Sequence, residues 1–367
     1  MSVPTQEFEE MRETVQIGEY SLLSAGDDMS DGAECAVLDT NVVIDMEHFY
    51  FTQTSEEKRQ SLKDLLLYLV KDRVEPSIGF ALLESCHQWR SGFDENNFQR
   101  KRYVAETLFQ WDEDVIERQF ANRHPPVNRD RKWRDRPYRT RMDPLAYGFD
   151  GTISDCVQFA IHYASLLKIM LLAQKMKTDN RLNLLAEYVS WVNTQLGSLS
   201  AYELQVAVDM LVGSNSRSEQ VRKLTKYSGN ESIDDLSHKA WNAAWDCYFM
   251  SVTDAYETGL EYETGMPRRK TVLVTRNIDP VWLRRKAALS DIESERYALP
   301  IPKIECPLDL RKGITDSEVL SILNTVHEMQ EVRQSVNPSN TQMMRYIQRF
   351  EGEAGLNQSA FVDTPLR

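Results

Sequence analysis

Two short runs of small and β-branched residues predict buried strands in this chain. The first is CAVLD at 35–39 and the second is KTVLVT at 270–275. The first run is followed by a helical pattern, TNVVIDMEHFYF, and the second runs into the polar residues TRNIDP. Further elements are predicted at 55–70, 80–90, 97–120, 154–212, 233–256 and 315–350 as helices and at 74–78 as an extended segment. Strands separated by helices, with few hairpin signals, predict an α/β fold around a parallel central sheet.

These elements divide the chain into four predicted regions. Residues 1–34 carry nine acidic side chains and one basic one, which predicts a mobile or loosely docked acidic segment. The stretches 35–90 and 231–310, which hold the predicted strands, would form one α/β domain. The helix-rich stretch 91–230 would be an insertion into that domain, and 311–367 would be a helical tail.

Composition narrows the class of protein. A chain of 367 residues with 41% hydrophobic residues can bury a large core. Its most apolar stretch, at 164–176, is too short and too polar to predict a membrane span, and the N-terminus lacks a secretory pattern, so a cytoplasmic protein is expected. The five cysteines form no CxxC pair, which argues against disulfides and zinc ribbons. Any metal is therefore expected to be held by oxygen.

An Arg-rich segment at 123–142 stands out because it has six excess positive charges in a chain of net charge −13. Arginines alternating with aromatic residues suit phosphate contacts and base stacking on single-stranded or irregular nucleic acid. The alternative is a loop that binds acidic segments of the same chain. The predicted nucleic-acid-binding residues are Arg129, Arg131, Lys132, Trp133, Arg134, Arg136, Tyr138, Arg139 and Arg141.

Two acidic residues lie at positions where an α/β fold commonly forms a ligand site. Asp39 ends the first predicted strand, and the carboxyl ends of parallel strands converge on one crevice. Glu84 lies in a predicted helix beside Leu83 and Cys86, near an apolar face where an ionised carboxylate needs a cation. The alternatives are a helix cap or turn for Asp39 and a surface ion pair with Arg90 for Glu84.

A third polar motif, TRNIDP at 275–280, follows the second predicted strand. Asn277 and Asp279 lie just beyond the carboxyl end of this strand, where oxygen ligands are expected. The alternative is a plain turn, because Asn, Asp and Pro all favour turns. The residues predicted to hold the carboxylates through hydrogen bonds are Thr40, Asn41 and Thr275.

The order of these motifs resembles that of the PIN-domain nucleases, including the toxin-type ribonucleases. Those proteins have an Asp after the first strand in a pattern like LDTNV, a Glu in the second or third helix, an Asp in a later helix, and an acid or Asn in a T-R-[DN] turn. VLDTN at 37–41 places Asp39 at the first position, and Glu84 matches the second. Asn277 stands at the usually acidic turn position, a departure for which Asp279 can supply the charge.

The later helical Asp of the resemblance has three candidates in the long helix before the second strand. Asp246 is preferred because Trp245 and Cys247 flank it in an apolar surrounding, where a solvated charge is hard to explain. Asp235 and Asp254 remain the alternatives.

The resemblance implies a PIN-like, Rossmann-like three-layer fold and a nuclease that depends on Mg²⁺ or Mn²⁺. Clustered carboxylates repel one another unless a divalent cation neutralises them, and both ions prefer hard oxygen ligands. Such a site activates a water for in-line attack on a phosphodiester. RNA is favoured over DNA by the resemblance alone. The expected metal ligands are Asp39, Glu84, Asp246, Asn277 and Asp279, of which the four acids are the expected catalytic residues.

Two other functions are compatible with the same residues. A phosphatase or phosphotransferase can also begin with a strand ending on Asp, but the usual pattern has a second Asp two residues later, where this chain has Asn41. A degenerate PIN-fold protein that binds RNA or scaffolds an assembly is the second alternative. The acidic segment, insertion and tail suggest control by a protein partner or by self-association, in a toxin or phage-defence setting.

Overall fold

The chain is described as two compact units. The computed structural model describes residues 15–24, 32–130, 157–196, 200–258, 269–286, 289–292, 301–304, 308–333 and 339–361. The first unit contains the described residues up to 130 together with 249–285, and the second contains 157–248 and the described residues from 286 onward.

The first unit is built on a mixed five-stranded sheet. Its strands are β1 (Val15–Ile17), β2 (Tyr20–Ser24), β3 (Cys35–Leu38), β4 (Glu75–Ser77) and β5 (Thr271–Thr275). Their order across the sheet is β1-β2-β5-β3-β4. β3 runs parallel to β4 and β5, whereas β2 runs antiparallel to β5 and to β1. Every residue of β3 and β5 is buried, as is usual for parallel strands covered on both faces.

Helices make up most of both units. In the first unit they are α1 (Thr40–Phe51), α2 (Glu56–Lys71), α3 (Gly79–Cys86), α4 (Glu95–Phe109) and α5 (Glu113–Ala121), followed by a 3₁₀ turn at Pro126–Asn128. In the second unit they are α6 (Val157–Gln174), α7 (Arg181–Trp191), α8 (Ala201–Leu211) and α9 (Asn215–Thr225), with a 3₁₀ turn at Lys175–Lys177 and a π-helical turn at Val192–Leu196. The remaining elements are α10 (Ile233–Thr258), α11 (Ile278–Lys286), β6 (Leu289–Ile292), β7 (Ile301–Ile304), α12 (Asp316–Arg333) and α13 (Asn340–Glu353).

The α/β class is confirmed, but the sheet is not wholly parallel as the sequence predicted. Its antiparallel part comes from residues 15–24, which we expected to belong to a loose acidic segment. The charge of that segment concealed a short apolar run, since Tyr20, Leu22 and Leu23 are buried in the sheet. The two-residue turn between β1 and β2 makes that pair antiparallel, because only crossover connections give parallel pairs. β2 and β5 are far apart in the sequence, so no local turn sets their antiparallel pairing.

The boundary between the two units also differs from the predicted insertion at 91–230. α4 packs against α1 and buries Phe98 and Leu108, so both helices belong to the first unit. α5 packs against α2, and Phe120 stacks on Phe49 with ring centroids 4.1 Å apart. Burying a large apolar side chain contributes about 1.5–3 kcal/mol, which explains why these helices join the sheet-bearing unit.

The second unit has its own core around α6. Phe159 of α6 stacks on Trp245 at 3.9 Å, and Phe361 lies against both Phe159 and Trp241. The predicted helical tail packs here too, because the buried carboxyl of Glu351 accepts hydrogen bonds from the Tyr163 hydroxyl (2.8 Å) and from the amide of Ala360 (3.0 Å). The tail is therefore an integral part of this unit.

One stretch among the described residues, Val157–Lys177, is long and apolar enough to span a membrane by length and composition. Of its most apolar window, 72% is buried inside the structure. Such burial is typical of a core helix, and it agrees with the packing of Phe159 of α6 against Trp245 and Phe361.

Candidate active site

Asp39 and Glu84 meet at the carboxyl ends of two neighbouring parallel strands. Asp39 follows β3 directly, and Glu84 lies in α3, the helix that follows β4. Because β3 and β4 are parallel neighbours, the helices that follow them begin at the same edge of the sheet. This shared edge brings together two acids that are 45 positions apart in the sequence.

Asp39 is 7% exposed and is held by hydrogen bonds from two elements. Asn41 of α1 and Thr275 of β5 both donate to its Oδ2 atom. The amide of Asn41 also lies 3.2 Å from the Thr275 hydroxyl, so the three side chains form one small network. Burial raises the pKa of Asp39, and the hydrogen bonds from Thr275 and Asn41 oppose that rise because they favour the ionised form.

Glu84 is partly exposed and faces Asp39 across Thr40. The Thr40 hydroxyl donates to Glu84 Oε2 and lies 3.3 Å from the carbonyl oxygen of Ala81. Burial and, after it, the charge of Asp39 raise the pKa of Glu84 to about 8, while the Thr40 hydroxyl lowers it. In the absence of a cation, this carboxyl therefore holds its proton at neutral pH.

Thr40, Asn41 and Thr275 thus make the hydrogen bonds to the two acids that we expected of them. Which ion, if any, the acids hold stays a prediction. Burial of carboxylates this close together is unusual without a cation partner, so the pair is a candidate functional site on physical grounds.

The turn after β5 is ordered by its own polar groups. The amide of Asn277 donates to the Thr275 hydroxyl at 2.9 Å, and Asn277 Oδ1 accepts from the amide of Asp279 at 3.2 Å. Asp279 lies in the first turn of α11. The side chain of Asn277 therefore caps this helix, which supports the turn-forming role that the sequence had left open. Any metal contact by either residue stays a prediction.

The three candidates for the later helical Asp occupy different surroundings. Asp246 belongs to the second unit and is partly buried. Burial and, after it, the charges of Glu203 and Asp246 raise the pKa of the neighbouring Cys247 thiol. Asp235 accepts a hydrogen bond from Ser232 near the start of α10. The assignment of Asp246 as a metal ligand accordingly stays a prediction.

Asp254, the third candidate, lies in the first unit and is bound by Arg284 at 2.8 and 3.1 Å. The same guanidinium donates to the backbone of Ser24, whose strand partner Val272 lies at the amino end of β5. Asp254 is therefore at the opposite end of the sheet from Asp39, and an ion pair accounts for its charge.

Within the described ranges, no three His, Cys, Asp or Glu side chains are grouped so that they could hold a metal ion together. The expected cluster of four acids is represented there by two, Asp39 and Glu84. A shell built on this pair needs further oxygen ligands from water or a substrate, as is common for Mg²⁺ sites.

Only the beginning of the Arg-rich segment can be placed. Arg129 is exposed and donates to the carbonyl oxygen of His124 at 3.0 Å, while the other eight predicted nucleic-acid-binding residues lie outside the described residues. The neighbouring Asp130 is anchored by the hydroxyls of Tyr50 and Tyr103. The start of the segment is thus attached to α1 and α4.

An ionic network that was not predicted from the sequence lies next to the site. Asp45 of α1 is 2% exposed and contacts Arg276, the residue between Thr275 and Asn277, at 3.3 Å. A signal was present, because Asp45 interrupts the apolar run VVIDM, and a charge on a buried helix face needs a partner. The identity of that partner could not be read from local sequence.

Compared with known proteins, the chain matches no family model, no curated protein and no solved structure.

Proposed function

We propose that this protein is a metal-dependent nuclease whose active site is the Asp39–Glu84 pair. The observation that carries this proposal is the meeting of buried Asp39 and partly exposed Glu84, far apart in sequence, at the carboxyl ends of parallel strands. Burial and, after it, the charge of Asp39 raise the pKa of Glu84 to about 8, and a divalent cation would favour the ionised form of both acids.

The donor atoms around the pair fit Mg²⁺ or Mn²⁺. Both acids offer carboxylate oxygens, and the hydroxyl oxygen of Thr40 lies beside Glu84. Among the described residues, the side chains that hydrogen-bond the two acids carry oxygen and nitrogen atoms and no sulfur or imidazole. Oxygen ligands suit hard cations such as Mg²⁺ and Mn²⁺. Sites of this kind keep several waters, so two protein carboxylates suffice when a substrate phosphate supplies further oxygens.

Asp39 and Glu84 would have different roles in such a site. Asp39 would be the principal ligand, because Asn41 and Thr275 fix the orientation of its carboxylate. Glu84 would be a ligand or orient the attacking water, and it can accept a proton once ionised. A bound divalent ion would supply an activated water and offset the charge that develops on the phosphate.

We further propose that the fold is PIN-like. The strands β5, β3 and β4 form a parallel core, with an acid or a polar turn at the carboxyl end of each strand or in the helix that follows it. Resemblance of the motifs supports RNA over DNA as substrate and a role as a toxin or phage-defence effector. The antiparallel β1 and β2 would then be an addition to that core.

Cleavage assays with matched variants test the proposal. Wild-type protein, Asp39→Asn and Glu84→Gln are incubated with labelled single-stranded RNA or DNA in Mn²⁺ or EDTA. Asp114→Asn, which changes an exposed Asp of α5 in the same unit, is the control. We expect Mn²⁺-dependent cleavage by the wild type and the control, and a loss of at least 100-fold in both site variants. Equal cleavage by all four proteins would show that the activity has another source.

A non-catalytic protein that binds RNA or scaffolds an assembly is the second candidate. It is favoured by the grouping of only two acids among the residues that the structure describes and by Asn277 at the usually acidic turn position. In that case the wild type would bind the labelled RNA without cleaving it, and neither Mn²⁺ nor Asp39→Asn would change the affinity.

A further inference from the structure

The hairpin formed by β1 and β2 is locked onto α2 by its turn. Gly18 has φ +57°, and a Cβ atom at this position would lie 2.5 Å from Oγ of Ser61. The next residue, Glu19, donates its amide to the same Ser61 oxygen at 3.1 Å. Only glycine fits this close approach, so the turn fixes where the side chains of Glu19 and Tyr20 lie.

These two side chains reach the ionic network beside the site. The Tyr20 hydroxyl donates to Oδ2 of Asp45 at 3.0 Å, and both residues are almost fully buried. Arg276 approaches the other oxygen of Asp45 at 3.3 Å and Glu19 at 3.5 Å. Lys58 of α2 lies 3.8 Å from Asp45, so two cations balance the two acids.

Arg276 joins this network to the residues that hold Asp39. Its backbone amide donates to Oδ1 of Asn41 at 3.0 Å, while its guanidinium contacts Asp45 one helical turn further along α1. Asn41 in turn donates to Asp39, and Thr275, the residue before Arg276, donates to the same Asp39 oxygen. The turn after β5 is thus attached to α1 at both the main chain and the side chain of Arg276.

We propose that the N-terminal hairpin is a positioning element of the candidate active site. Glu19 and Tyr20 hold Arg276 and Asp45 together, and this contact sets the Thr275 hydroxyl and the Asn41 amide on Asp39. The consequence for metal binding and cleavage rests on the proposed function, whereas the ordering of the turn does not.

A purely structural role would be served as well by apolar residues. Replacing a buried ion pair by well-packed apolar side chains is often neutral or stabilising, so the Asp45–Arg276 pair is not needed for stability alone. Unlike an apolar contact, the ion pair fixes an orientation, because the planar guanidinium and the tyrosine hydroxyl each bind one oxygen of Asp45. Directional contacts of this kind orient the ligands of metal sites.

The test compares Tyr20→Phe with Ser21→Ala in the full chain. Tyr20→Phe removes only the hydroxyl that binds Asp45. Ser21→Ala removes a hairpin hydrogen bond, from Gln16 at 2.8 Å, but keeps the backbone pairing of Ser21 with Thr275 and the hydroxyl of Tyr20 on Asp45. Two quantities are measured: the hydrogen-exchange rates of the Arg276 and Asn277 amides, and the affinity for Mn²⁺ by titration calorimetry.

We expect Tyr20→Phe to speed exchange at both amides, because the turn after β5 is held less firmly. Mn²⁺ binding should weaken by about tenfold, because losing a hydrogen bond outside the metal ligands typically costs at least this much affinity. Ser21→Ala should change neither. Unchanged exchange in Tyr20→Phe would overturn the positioning role whether or not the wild type binds Mn²⁺. Faster exchange in a protein that binds no Mn²⁺ would uphold the positioning role and reject the proposed function. Faster exchange with unchanged Mn²⁺ affinity would overturn the link between the hairpin and the site.

Discussion

Replacing Glu84 by glutamine is expected to stabilise the metal-free protein at alkaline pH. Burial and the charge of Asp39 raise the pKa of Glu84 from its ordinary value of 4.5 to about 8 in the folded state. The folded state therefore keeps a proton that the unfolded chain has already lost, and stability falls as the pH rises from about 4.5 through 8. Glutamine has no such proton to lose, so the variant escapes this fall.

The expected magnitude follows from the difference in pKa between the two states. Each pH unit over which the folded and unfolded states differ by one proton changes the free energy of unfolding by about 1.36 kcal/mol. Between pH 5 and pH 8 the wild type should therefore lose about 4 kcal/mol relative to Glu84→Gln. Saturating Mn²⁺ should reverse the order at pH 8, because the ion stabilises the ionised carboxylate that the variant lacks.

Urea unfolding at pH 5, 6.5 and 8 in EDTA measures this effect. Glu117→Gln, which removes the charge of an exposed glutamate in the same unit, is the control, and its stability should run parallel to that of the wild type. A constant difference between wild type and Glu84→Gln across the three pH values would refute the reasoning, since it would mean that Glu84 ionises alike in the folded and unfolded protein.

Two further predictions concern protons and buried charges in the first unit. Binding of Mn²⁺ at pH 7 should release about one proton from Glu84 and tighten about tenfold per pH unit until pH 8, as measured by calorimetry in buffers of different ionisation enthalpy; an affinity independent of pH would contradict this. Lys101→Met should lower the free energy of unfolding by about 2 kcal/mol, because the ammonium lies 2.6 Å from the buried Glu47 and only Arg100, also at 2.6 Å, then balances that charge. The double variant Lys101→Met with Glu47→Leu should recover most of the loss, and failure to do so would indicate a packing defect instead.

Local sequence was enough for most helices and for the central strands. The run 35–38 is β3 and the run 271–275 is β5, and the helix predicted after the first run is α1. The position of Asp39 and its meeting with Glu84 were also predictable, because strand direction alone places these two residues at one edge of the sheet. Hydrophobic periodicity and the ends of strands are local properties of the sequence, so they can be predicted without knowledge of the fold.

Other features depended on contacts between distant segments. The hairpin at 15–24 was hidden by the acidic residues around it, and only the pairing of β2 with β5 reveals its apolar side. α4 and α5 look like any amphipathic helices, and nothing in their sequences says which unit their apolar faces will cover.

The sequence by itself therefore determined the α/β class, the acids at the strand ends and the residues that hydrogen-bond them. Only the tertiary structure decided that the sheet is mixed and that Arg276 is held by Asp45 and Tyr20. The reason is physical: hydrophobic periodicity specifies which face of an element is buried, whereas the partner of that face is chosen by the packing of the whole unit.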